Sequence, residues 1–164
     1  MKILIAMLCP ATLLACTFGC GQAKPEGLPN LAPCTVKVVQ EGTPLPNATV
    51  VFHGTSPDAD RWPVLALTDA DGVATMKTAG DFYGAPVAEY TVTVSAEEVV
   101  DKGIDPNDKS EFPAPRVTTY SLVSPEYGDA ATSPLKVSVA AGKNHFDLDV
   151  GKKVHTLYKP DGKH

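Results

Sequence analysis

The chain has 164 residues, of which 43% are hydrophobic and 20% are charged, so it can bury a core and is not globally disordered. Its formal net charge is −5, and this acidic balance argues against nucleic acid as a partner, because phosphate binding requires a basic face. The 15 prolines, 13 glycines and several Thr-Val alternations are typical of a turn-rich all-β protein. The length fits one domain with additional segments.

The first residues have the pattern of an export signal. Met1-Lys2 supplies a short positive region, and residues 3–14 form an apolar stretch interrupted by Pro10. This stretch is shorter than the roughly 20 apolar residues that span a bilayer, so it predicts a signal peptide. We assign residues 1–15 to this signal peptide and the rest of the chain to an exported compartment.

The end of the signal peptide carries cysteines. The stretch 13–16 (LLAC) resembles the lipobox of bacterial lipoproteins, and 17–20 (TFGC) is a second candidate. The resemblance implies that Cys16, or alternatively Cys20, becomes the first residue and carries the lipid. Buried acyl CH₂ groups contribute about 0.8 kcal/mol each, so several chains hold a protein on a membrane. The predicted location is the cell envelope, as a membrane-anchored lipoprotein, and the alternative is a secreted protein.

The cysteine positions leave two arrangements open. If Cys16 carries the lipid, Cys20 and Cys34 remain and can form a disulfide in an oxidising envelope. If Cys20 carries the lipid, Cys34 is a lone thiol, and we predict a small buried hydrophobe rather than a reactive group. The sequence contains no C-x-x-C pair, which argues against a zinc or redox site.

Three segments follow the signal peptide. Residues 16–33 are rich in Gly and Pro and are predicted to form a flexible tether. Residues 34–150 carry the alternating pattern of β-strands and are predicted to form the domain. Residues 151–164 contain four lysines and are predicted to form a loose tail. The apolar residues able to dock in this tail are Val154, Leu157 and Tyr158.

The strongest local signal is the Asp-Gly pair in the stretch 68–72 (TDADG), which lies between two alternating apolar runs. Asp-Gly in this setting predicts a hairpin, because Gly72 can adopt the positive φ that such a turn requires. The incoming strand is predicted over 63–67 and the outgoing strand over 73–77. The other strands are placed as pairs around this central hairpin.

Alternation of apolar and polar residues predicts five further strands. Their ranges are 34–39, 48–53, 89–95, 135–139 and 146–150. In the strand over 89–95, Thr91 and Thr93 are predicted to face solvent while the residues that alternate with them face the core. The residues predicted to pack between the sheets are Val36, Val38, Val50, Phe52, Met76, Tyr90, Val92, Val94, Val137, Val139, Phe146 and Leu148.

Residues 96–116 interrupt this pattern with a charged, proline-containing insertion that is too long for a tight turn. Loops of this length are often functional, so this insertion and the polar loop over 54–61 are the predicted recognition segments. One helical turn is predicted at Ser124-Pro125, because Ser favours the N-cap and Pro the first helical position.

Several stretches together resemble the carboxypeptidase regulatory-like domains, which are relatives of transthyretin. Residues 42–52 match the family outline G-x-P-L-x-x-A-x-V-x-F, residues 68–72 match T-D-A-D-G, and residues 84–95 match its Tyr-containing strand. The closing stretches 127–137 and 142–148 are similar to small lipoproteins of this type in planctomycete-like bacteria. The resemblance covers residues 34–150 in order and spacing.

This resemblance implies an all-β fold, a seven-stranded Greek-key sandwich of the prealbumin or immunoglobulin-like type. It implies no chemistry, because such domains are usually non-catalytic attachments. The transthyretin-like branch includes the enzyme 5-hydroxyisourate hydrolase, which is associated with a C-terminal Tyr-Arg-Gly-Ser signature. The present chain ends in Lys-Pro-Asp-Gly-Lys-His, so no catalytic residue is carried over.

Candidate ligands for a metal ion are sparse. Asp69 and Asp71 resemble a fragment of a calcium loop, but apolar residues stand where further oxygen ligands are required. We interpret both as turn residues, and Asp58 and Asp60 are the residues able to approach them and complete a site.

Other polar groups are interpreted as ordinary surface chemistry. Asp105, Asp108 and Glu111 form an acidic cluster in the insertion, which we interpret as a solvated loop. His145 is predicted to lie on the solvent side of its strand, in reach of Asp147. No G-x-S-x-G motif supports a Ser/His/Asp triad.

The sequence thus favours a non-catalytic module, without a cofactor, that binds or supports an unknown envelope protein or glycan. The first alternative is a carbohydrate-binding module, which requires exposed aromatic side chains. The candidates for that role are Trp62, Tyr83, Tyr120 and Tyr127. The second alternative, a hydrolase of the 5-hydroxyisourate type, is disfavoured by the missing C-terminal signature.

Overall fold

The structure is a computed structural model that describes residues 23–107, 109–112 and 114–158. The predicted signal peptide and the two candidate lipidation residues, Cys16 and Cys20, lie outside the described residues. The described part is all-β, with two single helical turns. Its elements are β1 (Leu31–Ala32), β2 (Cys34–Gln40), β3 (Thr43–Pro44), β4 (Thr49–Gly54), α1 (Pro57–Asp60), β5 (Val64–Leu67), β6 (Val73–Thr75), β7 (Lys77–Thr78), β8 (Phe82–Tyr83), β9 (Ala85–Pro86), β10 (Ala88–Ser95), β11 (Glu97–Ile104), β12 (Pro115–Ser121), α2 (Pro125–Gly128), β13 (Lys136–Val139), β14 (Asn144–Asp149) and β15 (Thr156–Leu157).

Two sheets build the body of the domain. The larger one has six antiparallel strands in the order β13-β10-β4-β5-β7-β8. The smaller one has β2 at its centre, with β14 on one side and β3 and β6 on the other. The β14–β2 pair is parallel, so the first long strand of the domain lies beside the last.

Both sheets contribute side chains to one buried cluster. All the predicted core residues except Phe146 are buried, and Phe146 is half-buried against the cluster with its ring centroid 6.5 Å from that of Phe52. Tyr90 lies near the centre, where its ring centroid is 5.3 Å from that of Phe52 and its hydroxyl donates to the Pro86 carbonyl at 2.8 Å. The predicted core is therefore confirmed.

The Asp-Gly turn is present, but the simple hairpin predicted around it is wrong in its outgoing half. β6 crosses to the smaller sheet, where Ala74 lies opposite Val36 of β2. The chain returns to β5 only at β7, where Lys77 lies opposite Leu65. Both sheets face the same core, so the alternation of residues 73–77 does not indicate which of the two sheets this segment joins.

Gly72 is required by the geometry of this turn. Its φ is 72°, its carbonyl accepts the Val38 N–H at 2.8 Å, and a Cβ atom there would lie 2.6 Å from the Val38 carbonyl oxygen. The turn thus brings the β5–β6 connection against the central strand of the smaller sheet.

Thr91 and Thr93 are buried, although the sequence predicted that they face solvent. They lie on the face of β10 opposite the core, as alternation requires. Longer side chains from neighbouring strands cover them: Lys136 Nζ donates to the Thr91 hydroxyl, and His53 Nε2 lies 3.0 Å from the Thr93 hydroxyl oxygen. The stems of such residues exclude water from short neighbours.

Both ends of the predicted domain extend further than expected. Leu28 is buried and β1 pairs with β9, so the end of the predicted tether is part of the folded body. In the predicted tail, β15 pairs with β12, while the side chains of Leu157 and Tyr158 remain exposed. The tail therefore docks through its backbone as far as Tyr158, and of its three predicted docking side chains only Val154 is half-buried.

Candidate functional site

The insertion over 96–116 is a two-stranded ribbon, not the irregular loop that its composition predicted. β11 and β12 pair antiparallel from Glu97 opposite Ser121 to Ile104 opposite Pro115, with a bulge after Asp101. Gly103 in this bulge has a φ of 69°, and its N–H donates to Asp101 Oδ1 at 2.7 Å. The ribbon is mostly exposed on both faces, so it lacks the apolar-in, polar-out signal of a core strand.

A cluster of three side chains fixes the C-terminal strand to this ribbon. The His155 ring stacks on the Tyr120 ring with centroids 4.1 Å apart and planes within 16°. His155 Nε2 also lies 2.9 Å from Glu98 Oε2. The pairing of Leu157 with Tyr120 completes a three-stranded sheet in the order β11-β12-β15.

An open groove of about 660 Å³ lies where the root of the ribbon meets α2 and β15. Its polar lining residues are Ser95, Glu97, Ser121, Ser124, Asp129 and Thr156. Its apolar lining includes Val94, Val123, Pro125, Leu157 and Tyr158. We call this cavity the ribbon groove.

The ribbon groove is acidic and rich in hydroxyl groups. Glu97 and Asp129 are its charged residues, and no Lys, Arg or His of the described part lines it. Ser121 donates to the Val123 carbonyl at 2.8 Å, and Asp129 Oδ1 accepts the Ala131 N–H at 2.8 Å, so both are held in place. Such a lining disfavours phosphate and carboxylate ligands and suits hydroxyl-bearing or cationic ones.

The helical turn α2 forms one wall of this groove and was predicted correctly at Ser124-Pro125. The Ser124 side chain does not cap the turn, contrary to the reason for its prediction. Pro125 at the first helical position and the 3.1 Å bond from the Tyr127 N–H to the Ser124 carbonyl define the turn.

Two of the residues considered as calcium ligands accept backbone hydrogen bonds from their own loops. Asp69 Oδ1 accepts the N–H groups of Asp71 and Val73, both at 2.9 Å. Asp60 Oδ1 accepts the Gly54 N–H at 3.2 Å. In the part of the chain that the structure describes, no three His, Cys, Asp or Glu side chains converge as metal ligands.

The other polar candidates occupy separate surface positions. Asp105 forms an exposed ion pair with Arg116 at 3.2 Å, and Asp108 lies outside the described residues. His145 is exposed on its strand, with Nε2 3.5 Å from Asp147 Oδ1. The predicted surface position of His145 is therefore correct.

The four aromatic candidates for glycan binding lie in four different parts of the fold. Trp62 is half-buried beneath the Arg61 guanidinium, and Tyr83 is exposed beside the Lys77 ammonium group. Tyr120 is covered by His155, and Tyr127 packs against the core. Over the described ranges, no ring contact joins any two of them, and the aromatic residue of the ribbon groove is instead Tyr158.

Cys34 is a buried thiol, as predicted for the case in which it stays unpaired. Burial raises its pKa to about 11. Burial also raises the pKa of Tyr90 to about 12, with a smaller contribution from the adjacent Cys34. Cys20, the alternative disulfide partner predicted for Cys34, lies outside the described residues.

These two groups should destabilise the fold at alkaline pH. In the unfolded chain they ionise near their ordinary pKa values of 9.0 and 10.0, whereas in the folded chain they stay protonated to about 11 and 12. The unfolded state therefore binds fewer protons between about pH 9 and pH 12, and the free energy of unfolding falls across that interval. Urea unfolding of wild type beside the Cys34→Ala, Tyr90→Phe double variant measures this. An equal alkaline loss in both proteins would contradict the assignment.

Comparisons with protein-family models, with curated proteins and with solved structures find no significant match to this chain. The resemblance to carboxypeptidase regulatory-like domains therefore stays a prediction. Within residues 23–107, 109–112 and 114–158, no helix has the length and apolar character required to cross a membrane.

Proposed function

We propose that this protein is a lipid-anchored module of the cell envelope that binds or supports a partner and carries out no catalysis. The observation that carries this proposal is the ribbon groove, a preformed concave surface at one end of a well-packed all-β body. Ligand sites are typically concave, largely preformed and few per protein. Binding through a rigid groove requires no catalytic group.

The proposed architecture is the seven-stranded Greek-key sandwich of carboxypeptidase regulatory-like domains. When the two ribbon strands and the two-residue strands are set aside, seven strands remain in the described part. Four belong to the larger sheet (β13, β10, β4, β5) and three to the smaller sheet (β14, β2, β6). β10 returns beside β4 after the chain has crossed to the other sheet, which supports a Greek-key connection.

The proposed anchor is a lipid on Cys16, with Cys20 as the alternative. The LLAC stretch at 13–16 supports the first choice, since it has Leu three residues and Ala one residue before Cys16. The folded body begins by Leu28, so a short segment separates the lipid from the domain. The module would then work close to the membrane surface.

A carbohydrate ligand is the second proposal for this groove. Its hydroxyls, its two carboxylates and the half-exposed ring of Tyr158 are the groups that hydrogen-bond and stack on sugars. The acidic character of its described lining favours neutral or amino sugars over acidic ones.

Removing the Tyr158 ring should weaken glycan binding while leaving the fold intact. On a glycan array, the Tyr158→Ala variant is expected to lose at least about tenfold in affinity for any glycan that the wild type binds. Tyr83→Ala is the matched control, because Tyr83 is 67% exposed on a different sheet and does not line the groove. Equal losses in both variants, or an array without signal for the wild type, would reject the carbohydrate proposal.

A further inference from the structure

The outer strand of the ribbon presents a free edge. In the sheet order β11-β12-β15 of the described residues, β11 has a partner on one side only. The Leu122 N–H donates to the Ala96 carbonyl at 2.9 Å, so even-numbered residues of this strand direct their backbone groups toward β12. The backbone groups of Glu97, Val99 and Asp101 therefore point outward.

This edge is accessible to a strand partner. Val99 is 63% exposed, and the residues from Glu97 to Val99 are exposed as well. An exposed strand edge is a template for pairing with another strand. Beyond the proposed binding function, we propose that β11 pairs antiparallel with β11 of a second copy of this chain, with Val100 opposite the same residue of the second copy on a two-fold axis.

The charges of the strand select this register. In an antiparallel pair, residues whose backbone groups point toward the partner strand lie opposite residues of the same kind. A two-fold axis that meets this condition passes through a residue, here Glu98, Val99, Val100 or Asp101. An axis at Glu98 or Asp101 places identical carboxylates opposite each other, and an axis at Val99 places Glu97 opposite Asp101 of the second copy. Like charges directly opposite are destabilising.

The axis at Val100 is the one that brings opposite charges together. It places Glu98 opposite Lys102 of the second copy, and this pair occurs twice by symmetry. Val99 pairs with Asp101 in this register, so the two symmetric pairs exchange about four backbone hydrogen bonds. The shared sheet then runs continuously through both ribbons.

Two-fold symmetry limits this association to a dimer. The bulge between Asp101 and Ile104 keeps the shared ladder short and centred on Val100. Once two copies have paired, both β11 edges are occupied and the two-fold symmetry closes the assembly. A small shared interface of this kind gives weak, concentration-dependent association.

Charge substitutions on the full chain test the pairing. Lys102→Glu alone is expected to raise the dimer dissociation constant at least about tenfold in analytical ultracentrifugation, because it places a second carboxylate opposite Glu98 in both symmetric pairs. Glu98→Lys alone places two lysines opposite each other and should weaken the dimer as well, and it also removes the contact of Glu98 with His155 of its own chain. An equimolar mixture of the two variants should associate again, since each chain then supplies the charges that the other lacks. Lys109→Glu makes the same charge change outside β11 and should leave the dimer unchanged.

Cross-linking tests the register. Directly opposed residues of a non-hydrogen-bonded pair have Cα atoms about 4.5 Å apart, within disulfide reach, so Val100→Cys should form a covalent dimer under mild oxidation. Val99→Cys is offset from its symmetry mate and should stay near the wild-type background. A wild type that stays monomeric to about 1 mM, unchanged dimerisation of the Lys102→Glu variant, or cross-linking through Val99→Cys instead would overturn the proposal.

Discussion

Replacing Tyr90 with Asp is expected to unfold the domain. Tyr90 is 1% exposed in β10, its ring packs against Phe52, and its hydroxyl donates to the Pro86 carbonyl. The substitution removes this packing, which costs about 3–5 kcal/mol for a large aromatic residue, and adds the cost of burying a carboxyl group. Since small domains are stable by only about 5–15 kcal/mol, the expected result is loss of the cooperative melt in circular dichroism.

Two matched variants show whether this loss comes from the core. Tyr90→Phe keeps the ring and removes one hydrogen bond, so a cooperative transition should remain, destabilised by about 1 kcal/mol. Tyr83→Asp makes the same chemical change at an exposed position and should melt close to wild type. A Tyr90→Asp variant that melts cooperatively at the wild-type temperature would contradict the position given to β10.

Replacing Cys16 with Ser is expected to remove the protein from the membrane. In the proposed anchor the lipid is attached to the Cys16 thiol, which serine lacks, so the intact mass should lose its lipid-sized increment. In a bacterial host, membrane fractionation should find wild type in the membrane fraction and the Cys16→Ser variant largely outside it.

The Cys20→Ser variant is the control for that experiment. Retained lipid and membrane residence in this variant support Cys16 as the anchor. Loss of both in Cys20→Ser, with retention in Cys16→Ser, would move the anchor to Cys20. A wild type of unmodified mass in the soluble fraction would contradict the anchor and favour a secreted protein.

Strands that bury one face could be predicted from the sequence. In β2 and β10, every second residue is apolar and faces the core, and from this alternation Val36, Val38, Val92 and Val94 were predicted. The alternation did not reveal that the other face of β10 is buried as well. The Asp-Gly turn was also predictable, because its geometry depends on local hydrogen bonds that the Asp69 carboxylate accepts and on the positive φ of Gly72. These signals involve residues close together in the chain.

Non-local features could not be predicted in the same way. Val99 and Val100 point to opposite faces of an exposed ribbon. Because β11 has no buried face, its sequence lacks the alternation of apolar and polar residues that marks a core strand. The choice of β2 as the partner of β6 depends on two sheets that share one core. The ribbon groove combines Ser95, Asp129 and Tyr158, which are distant in sequence, and composition does not bring them together.

The parallel pairing of β14 with β2 has a consequence for the timing of folding. The Thr35 hydroxyl lies 2.9 Å from Nδ1 of His145, a residue 110 positions further along the chain, so the central strand of the smaller sheet lacks one neighbour until nearly the whole domain has been synthesised. Contacts of such long sequence separation form late and slow folding. If the chain is exported by its predicted signal peptide, this delay would favour translocation before the domain closes.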